Sequence, residues 1–379
     1  MKRRSPDVDP EGDNGLSGIV DGALLAGALE AAFAGTHVPL GADARRPLFK
    51  GTLDEFAVAN AGDVALLRHL KNNVKKCGAC GKVCGNTMTS CNGCSSELPQ
   101  ETTHSHNIFM GFVYGVAKAP FPLTISVRKQ TEELLVLDDL LQLSPCHLNV
   151  VPTTQYIPNW MFLLRHPRAG LALLQKLEDA AWACVLEQFV RHPPWRNKYL
   201  RPAGVETLAT LDELRSHVVF GCNFPPSQFQ LHLQCIMMPW TPANYQHYHD
   251  QLHLTPGRYF PLEYIKRVLT LDERVEVTLE TPVERVLAHF DARVPYKEMH
   301  AASYARCGQS HRLLANWKPE DFAARVTGEA VVGSDKSKKD LLAADKATLQ
   351  SYGRPYTAEG RPTGTFYRYA RADRIPDWT

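Results

Sequence analysis

The feature that most restricts the fold of this chain is a crowd of cysteines in its first third. Five of its ten cysteines fall between residues 77 and 94, in the run Cys77-Gly-Ala-Cys80-Gly-Lys-Val-Cys84 and then Cys91-Asn-Gly-Cys94. A Cys-x-x-Cys turn brings two thiolates to one point, and Gly78, Gly81 and Gly93 permit the left-handed backbone that such knuckles need. Two such pairs make a tetrahedral sulfur cage, the arrangement that structural zinc prefers. Cys77, Cys80, Cys91 and Cys94 are the expected ligands; Cys84 is the spare, with an exchange against Cys91 left open. A cage closed by four thiolates leaves no open position, so its expected role is structural and not catalytic.

Cys146, Cys184, Cys222, Cys235 and Cys307 sit in largely apolar surroundings and read as reduced core residues. Clustering of the other five favours metal over a spread disulfide framework, so a reducing, intracellular and cytoplasmic setting is expected, with organelle and nucleus left open. No secretory segment is visible, because Met1-Lys-Arg-Arg-Ser-Pro-Asp leads into a polar acidic run. Residues 16–35 are apolar but contain Asp21 and Glu30, which suits a packing helix better than a membrane span. With a net charge of +2, the chain has no global electrostatic pull toward nucleic acid or membrane. Lys71, Lys75, Lys76 and Lys82 make a small basic face beside the cysteines. It is read first as solvated surface and second as a contact for RNA or a nucleotide tail.

Residues 227–234, Ser-Gln-Phe-Gln-Leu-His-Leu-Gln, carry the strongest functional pattern. On a strand, side chains two apart share a face. Gln230, His232 and Gln234 would then point one way, while Phe229, Leu231, Leu233 and Cys235 enter a core. An imidazole between two neutral amides suits attack on phosphorus, since the amides donate hydrogen bonds to phosphoryl oxygens without adding charge. Upstream, residues 134–152 form two apolar runs around a polar link, as a pair of buried strands would. Residues 170–190 have apolar side chains at helical spacing.

Together these stretches resemble the histidine-triad (HIT) superfamily, His-x-His-x-(His/Gln). The closest likeness is to the branch of galactose-1-phosphate uridylyltransferase and the dinucleoside-polyphosphate phosphorylases. The resemblance covers roughly residues 105–240. It implies that His232 is a nucleophile, Gln234 a phosphate-binding glutamine and Ser227 a phosphate-site serine. Gln230 stands where that branch has its first histidine, a departure from the pattern. Asp139 falls where the family binds ribose hydroxyls, with Pro145, His147 and Pro152 on its Pro-x-His and terminal Pro positions. Asn223 is a further candidate contact to phosphate or ribose, although the loop from it to the motif is shorter than in the family.

The expected fold class is α+β: a HIT-like antiparallel sheet with flanking helices, a small zinc-ribbon-like knuckle and helical extensions. Its expected organisation is a disordered tail (1–15), a helical segment (16–74), the zinc knuckle (75–100), a nucleotide-binding core (101–270), a helical segment (271–327) and a polar tail (328–379) that wraps the domain or is partly disordered. The resemblance implies a nucleotide hydrolase, nucleotidyltransferase or phosphorylase that works through a nucleotidyl-histidine intermediate on a nucleotide or nucleotide-sugar. Two rivals stand beside it. One is a catalytically silent scaffold in a larger assembly, which Gln230 favours; the other is an RNA- or DNA-processing factor gripping its target through the knuckle. The superfamily often dimerises, so a homodimer is also expected, and an RNA or protein partner remains open. His104 with His106, and His247 with His249 and His253, are ambiguous between metal ligands, phosphate contacts and ordinary loop residues. Trp160, Trp195 and Trp240 read as core residues, one of which could instead stack on a base.

Overall fold

The two apolar runs around residue 140 become inner strands of the main sheet, because each pairs on both sides and proline enters only at the last residue of the second, Pro152. The computed structural model describes residues 45–46, 49–91, 94–116, 127–139, 142–317, 370–371 and 375–379. The expected tail at 1–15, the helical run at 16–44 and most of the tail beyond 328 lie outside the described residues.

Strands run in the order β1 (Arg45–Arg46), β2 (Lys71–Lys76), β3 (Val83–Gly85), β4 (Thr103–His106), β5 (Val127–Gln130), β6 (Leu134–Asp138), β7 (Cys146–Pro152), β8 (Val218–Asn223), β9 (Leu233–Met237), β10 (Tyr259–Pro261) and β11 (Ala370–Arg371). Six of them form an antiparallel sheet of order β10-β8-β9-β7-β6-β5, β3-β2-β4 form a smaller antiparallel sheet, and β1 pairs with β11. The helices are α1 (Leu53–Ala59), α2 (Val64–His69), α3 (Ile108–Val113), α4 (Pro167–Val185), α5 (Pro193–Tyr199), α6 (Pro202–Val205), α7 (Leu211–Ser216), α8 (Pro242–His249), α9 (Leu262–Leu269), α10 (Val283–Phe290) and α11 (Tyr296–Leu314). This is an α+β fold. No described helix is long and apolar enough to cross a membrane, and all ten cysteines are free.

Register divides the sheet's side chains between its faces. Val136, Leu148, Val150, Leu233 and Cys235 join Leu174, Leu177 and Ala181 of α4 in the larger core. Asp138 falls in that apolar layer and is neutralised by Arg128, whose Nε and Nη2 donate to its two oxygens at 2.9 and 2.8 Å. Leu135, Leu137 and Val151 face the other way, onto Leu53, Phe56, Phe109 and Phe112 from α1 and α3. A row of polar side chains shares this second face.

The expectation of helix through residue 74 is corrected at Lys71, where β2 begins. Lys71 and Lys76 at its ends are exposed and Asn72, Val74 and Lys75 are buried, and β3 and β4 pair on its two sides. The last described residues do wrap the domain. Tyr156 N–H donates to Pro376 O at 2.8 Å and Trp378 N–H to Tyr156 O at 3.0 Å. Asp377 meets His69 Nε2 at 3.0 Å, and His69 Nδ1 lies 2.7 Å from Tyr114 Oη.

Helix α11 is docked through a neutral histidine. Trp240 N–H donates to His311 Nδ1 at 3.2 Å, and the His311 ring stacks on Tyr245 with centroids 4.1 Å apart. Burial, with Arg312 beside it, pushes this imidazole down to about 4. The folded value lies below the unfolded one, so the unfolded chain takes up the proton first and stability falls as pH drops below 6.5. At about pH 5 this one group costs about 2 kcal/mol. Melting compared between about pH 7.5 and about pH 5 should show that loss. His311→Gln, which keeps an acceptor for Trp240, should reduce it by that amount.

Candidate functional site

Two backbone knuckles of the same design hold the cysteines. Gly81 N–H donates to Cys77 O at 2.9 Å and Cys77 N–H to Lys82 O at 2.9 Å; fourteen residues on, Ser95 N–H donates to Cys91 O at 2.8 Å and Cys91 N–H to Ser96 O at 2.8 Å. The fifth residue of each turn is left-handed, with φ of 73° at Gly81 and 61° at Ser95. Gly78 has no positive φ, contrary to expectation, and Gly93 lies outside the described residues. The repeat explains why Cys77, Cys80, Cys91 and Cys94 converge, with all four sulfurs within 4.8 Å of one another. Cys77–Cys94 and Cys80–Cys91 are each 3.6 Å apart. An ion held tetrahedrally by bonds of about 2.3 Å sets its sulfurs about 3.8 Å apart, so this group can hold a metal ion. Cys84 approaches Cys91 at 3.8 Å but belongs to neither knuckle. Lys75 is turned away from the expected basic face: it is buried, and its Nζ donates to Met88 O at 3.0 Å.

The small sheet that carries these knuckles grips the loop before His232. Asn72 Oδ1 accepts from Phe229 N–H at 2.7 Å and Asn107 Nδ2 donates to Phe229 O at 3.0 Å, so both polar groups of one peptide-bonded residue are held. Gln228 Oε1 accepts from Ile108 N–H at 2.7 Å. Gly85 packs so closely on Pro225 that a Cβ there would collide with the proline ring. Nothing in the run Lys-Asn-Asn-Val marks Asn72 as a clamp, because its partner lies 157 residues away.

Residues 227–234 are not one strand. β9 begins only at Leu233, and Gln230 and His232 belong to the loop that enters it. The apolar half of the alternation holds, since Phe229, Leu231, Leu233 and Cys235 are buried. The polar half does not. Gln230 is wholly buried; its Oε1 accepts from Ile157 N–H at 2.9 Å, and its Nε2 donates to Pro152 O at 2.8 Å and Gln155 O at 2.9 Å. With these bonds made, Gln230 is an anchor for the loop and not a group facing the same way as His232.

His232 is half-buried, and its ring meets Phe109 edge-on at 5.0 Å. Its Nδ1 lies 2.8 Å from Gln230 O. A carbonyl only accepts, so Nδ1 carries the proton and Nε2 keeps a lone pair. Burial lowers the ring's pKa, outweighing the Gln230 carbonyl and the Asp139 charge, and keeps the imidazole neutral. Asp139 follows β6 directly and accepts from Asn149 Nδ2 at 2.7 Å, with His147 Nε2 at 3.7 Å. Asn149 and Gln234 are register partners on adjacent strands. Gln234 is buried, and its carboxamide makes no hydrogen bond among the described residues. Continuing the β8–β9 register, which pairs Gly221 with Gln234, brings Asn223 level with His232. Ser227 is exposed on the entering loop. Asn149 was not singled out from sequence, though its place two residues after His147 was the available signal.

The other candidates separate. Trp160, Trp195 and Trp240 are all buried in the larger core, so none offers a face to a base. His247 and His249 lie on α8 and not on a strand, so their spacing puts them on different sides. His106 pairs with Asp54 at 2.8 Å and His104 is exposed; neither joins the metal group. A cleft between α7, α9 and α11 is lined by Glu178, Arg215, Glu263, Lys266 and Arg306, charges already paired with one another.

Asn72→Ala leaves the Phe229 N–H buried without an acceptor, which costs about 1–3 kcal/mol. Denaturant unfolding should register that loss, and hydrogen exchange should show faster opening at residues 228–231. Comparison with protein-family models, with curated proteins and with solved structures finds no match to this chain.

Proposed function

We propose that the chain is a nucleotide hydrolase or nucleotidyltransferase of HIT-like architecture that attacks the α-phosphorus of a nucleoside di- or polyphosphate through His232. The observation that carries this reading is the hydrogen bond from His232 Nδ1 to Gln230 O, which leaves a neutral ring with its Nε2 lone pair beside a buried polar row. The order of parts supports it too: an Asp139 strand, a His147 strand, a helix and the strand that follows His232.

In the first step Nε2 donates its lone pair to phosphorus, and the bond to the leaving oxygen breaks with its electron pair. Positive charge grows on the ring as the N–P bond forms, and the Gln230 carbonyl facing Nδ1–H stabilises it. Gln234 and Ser227 are the groups proposed to hold phosphoryl oxygens, with Asn223 beside them; Gln230 has no donor left for that task. Asp139 is proposed to take ribose hydroxyls. Water or another acceptor then displaces the ring and releases the nucleotide.

Cys77, Cys80, Cys91 and Cys94 are proposed to hold zinc. Bound there, the ion supplies folding energy and no reactive position. Its contribution to the reaction is indirect, through the small sheet whose Asn72 clamps the loop of His232.

Labelled nucleoside triphosphates should give a covalent, acid-labile adduct on the wild type and none on His232→Ala, with turnover lower by on the order of a thousandfold or more. Full turnover in that variant would exclude the covalent scheme, and failure to form an adduct on any nucleotide would favour a silent scaffold. Because burial lowers the pKa of His232, activity should persist as pH falls through 6.5 and decline only below it. Elemental analysis should find one zinc per chain, and Cys91→Ser should lose the metal together with several °C of melting temperature.

A further inference from the structure

We infer that residues 375–379 are a strap whose docking sets the position of His232 through a three-residue bridge at 155–157. The inference rests on His232 being the reactive residue and deepens that reading by naming a positioning element that the motif does not contain.

Residues 155–157 lie outside the strands of the main sheet, and their backbone groups alternate in direction as those of an extended segment do. Tyr156 turns both of its groups to the strap: its N–H donates to Pro376 O at 2.8 Å and its O accepts from Trp378 N–H at 3.0 Å, a parallel bridge to Asp377. Its neighbours turn the other way. Gln155 O accepts from Gln230 Nε2 at 2.9 Å, Ile157 N–H donates to Gln230 Oε1 at 2.9 Å, and Ile157 O accepts from Leu231 N–H at 2.6 Å. One edge of the bridge is thus the strap, and the other is the loop that carries His232. Of the three bonds made by the Gln230 amide, two go to this bridge and the third goes to Pro152 O at the end of β7.

Side chains fix the strap at three points. Ile375 is buried in the second core with Tyr156, Leu53 and Phe56. Asp377 pairs with Arg68 and with His69 Nε2, the latter at 3.0 Å, and Arg68 Nη2 also donates to Thr379 Oγ1 at 3.2 Å. The Trp378 ring lies 4.9 Å from that of His166, and Trp378 O accepts from Arg165 Nη1 at 3.3 Å. His69 ties the second point to the bridge itself, because its ring stacks on Tyr156 with centroids 4.0 Å apart. A cavity of about 530 Å³ between Ala65, Arg68 and His69 on one side and Ile375, Asp377 and Thr379 on the other leaves the strap open to solvent.

A short segment bonded on both edges keeps its place only while both edges are present. With the strap released, Tyr156 loses both backbone partners, and His69 loses the carboxylate that holds its ring against Tyr156. The bridge is then held from the His232 side alone, and local opening spreads to Leu231 and Gln230, whose carbonyl orients the His232 ring at 2.8 Å. The strap carries none of the groups proposed to hold substrate. Its release should therefore slow the reaction of bound nucleotide and leave KM nearly unchanged.

The test is amide hydrogen exchange on the full chain, wild type against Asp377→Ala/Trp378→Ala. In the variant the amides of Tyr156, Ile157 and Leu231 should all exchange about tenfold faster or more, as loss of a charge-assisted hydrogen bond allows. The amides of Gly81 and Ser95 in the knuckles should keep their wild-type protection. Millimolar peptide of native residues 375–379 should restore protection at all three, and the same peptide carrying Asp377→Ala should not. Labelled nucleotide should form the His232 adduct about tenfold more slowly on the variant, with the rate recovered by native peptide. Fast exchange at Tyr156 with Ile157 and Leu231 still protected would overturn the inference. So would retained protection of Tyr156, opening that native peptide does not repair, or an unchanged adduct rate once all three amides open. If the double variant does not fold, Arg68→Ala, whose side chain is 55% exposed, repeats the comparison. Should no nucleotide form an adduct on the wild type, the reading of His232 as a nucleophile falls, and exchange alone decides whether strap and loop are coupled.

Discussion

The side chain of Gln230 bonds three backbone groups, Ile157 N–H, Pro152 O and Gln155 O, from a position with no solvent contact. Leu231 N–H adds a fourth link to Ile157 O at 2.6 Å. These bonds tie the chain leaving β7 to the loop entering β9, two segments more than seventy residues apart in sequence. His232 is two residues from this anchor, and the carbonyl that orients its ring belongs to the anchored residue itself. Removal of the Gln230 amide would leave one donor and two acceptors of the backbone buried and unmatched, a larger penalty than the loss of a surface contact. The position of the His232 ring thus depends on an amide that the alternating pattern had assigned to phosphate.

The main sheet uses its two faces differently. One is an apolar layer against α4 that also holds the Arg128–Asp138 pair. That pair is tolerable because the guanidinium matches both carboxylate oxygens and lies 5.1 Å from the Phe189 ring. The other face mixes Leu135, Leu137 and Val151 with Asp139, His147, Asn149 and Gln234. Burying Nε2 of His147 and Oδ1 of Asn149 without a hydrogen-bond partner is unfavourable for folding alone, and that unsatisfied chemistry is what makes the face a candidate for binding.

The cysteine knuckles act on the same site from a distance. They fold the small sheet whose Asn72, with Asn107 at the start of α3, holds Phe229 on both its N–H and its C=O. The element built on the four-cysteine group thereby restrains the loop that His232 follows, so stability at the knuckle and order at the candidate site are linked through two hydrogen bonds. His311, beneath Trp240, is likewise kept neutral by burial, and there its ring packs on Tyr245.

Local patterns in the sequence were sufficient for whatever depends on near neighbours. Two Cys-x-x-Cys pairs determined the four-sulfur group, because each turn needs only its own few residues. Two apolar runs around a polar link marked β6 and β7, helical spacing marked α4, and the burial of Phe229, Leu231, Leu233 and Cys235 followed from alternation. Sequence alone could not show that Gln230 turns inward, that residues 71–76 form a strand, or that Asn72 clamps the His232 loop. Each of those outcomes is decided by a partner dozens of residues away or more. Tertiary structure also decided which atoms are left without partners: Nε2 of His147 and Oδ1 of Asn149 are buried and unmatched, a property no sequence pattern records.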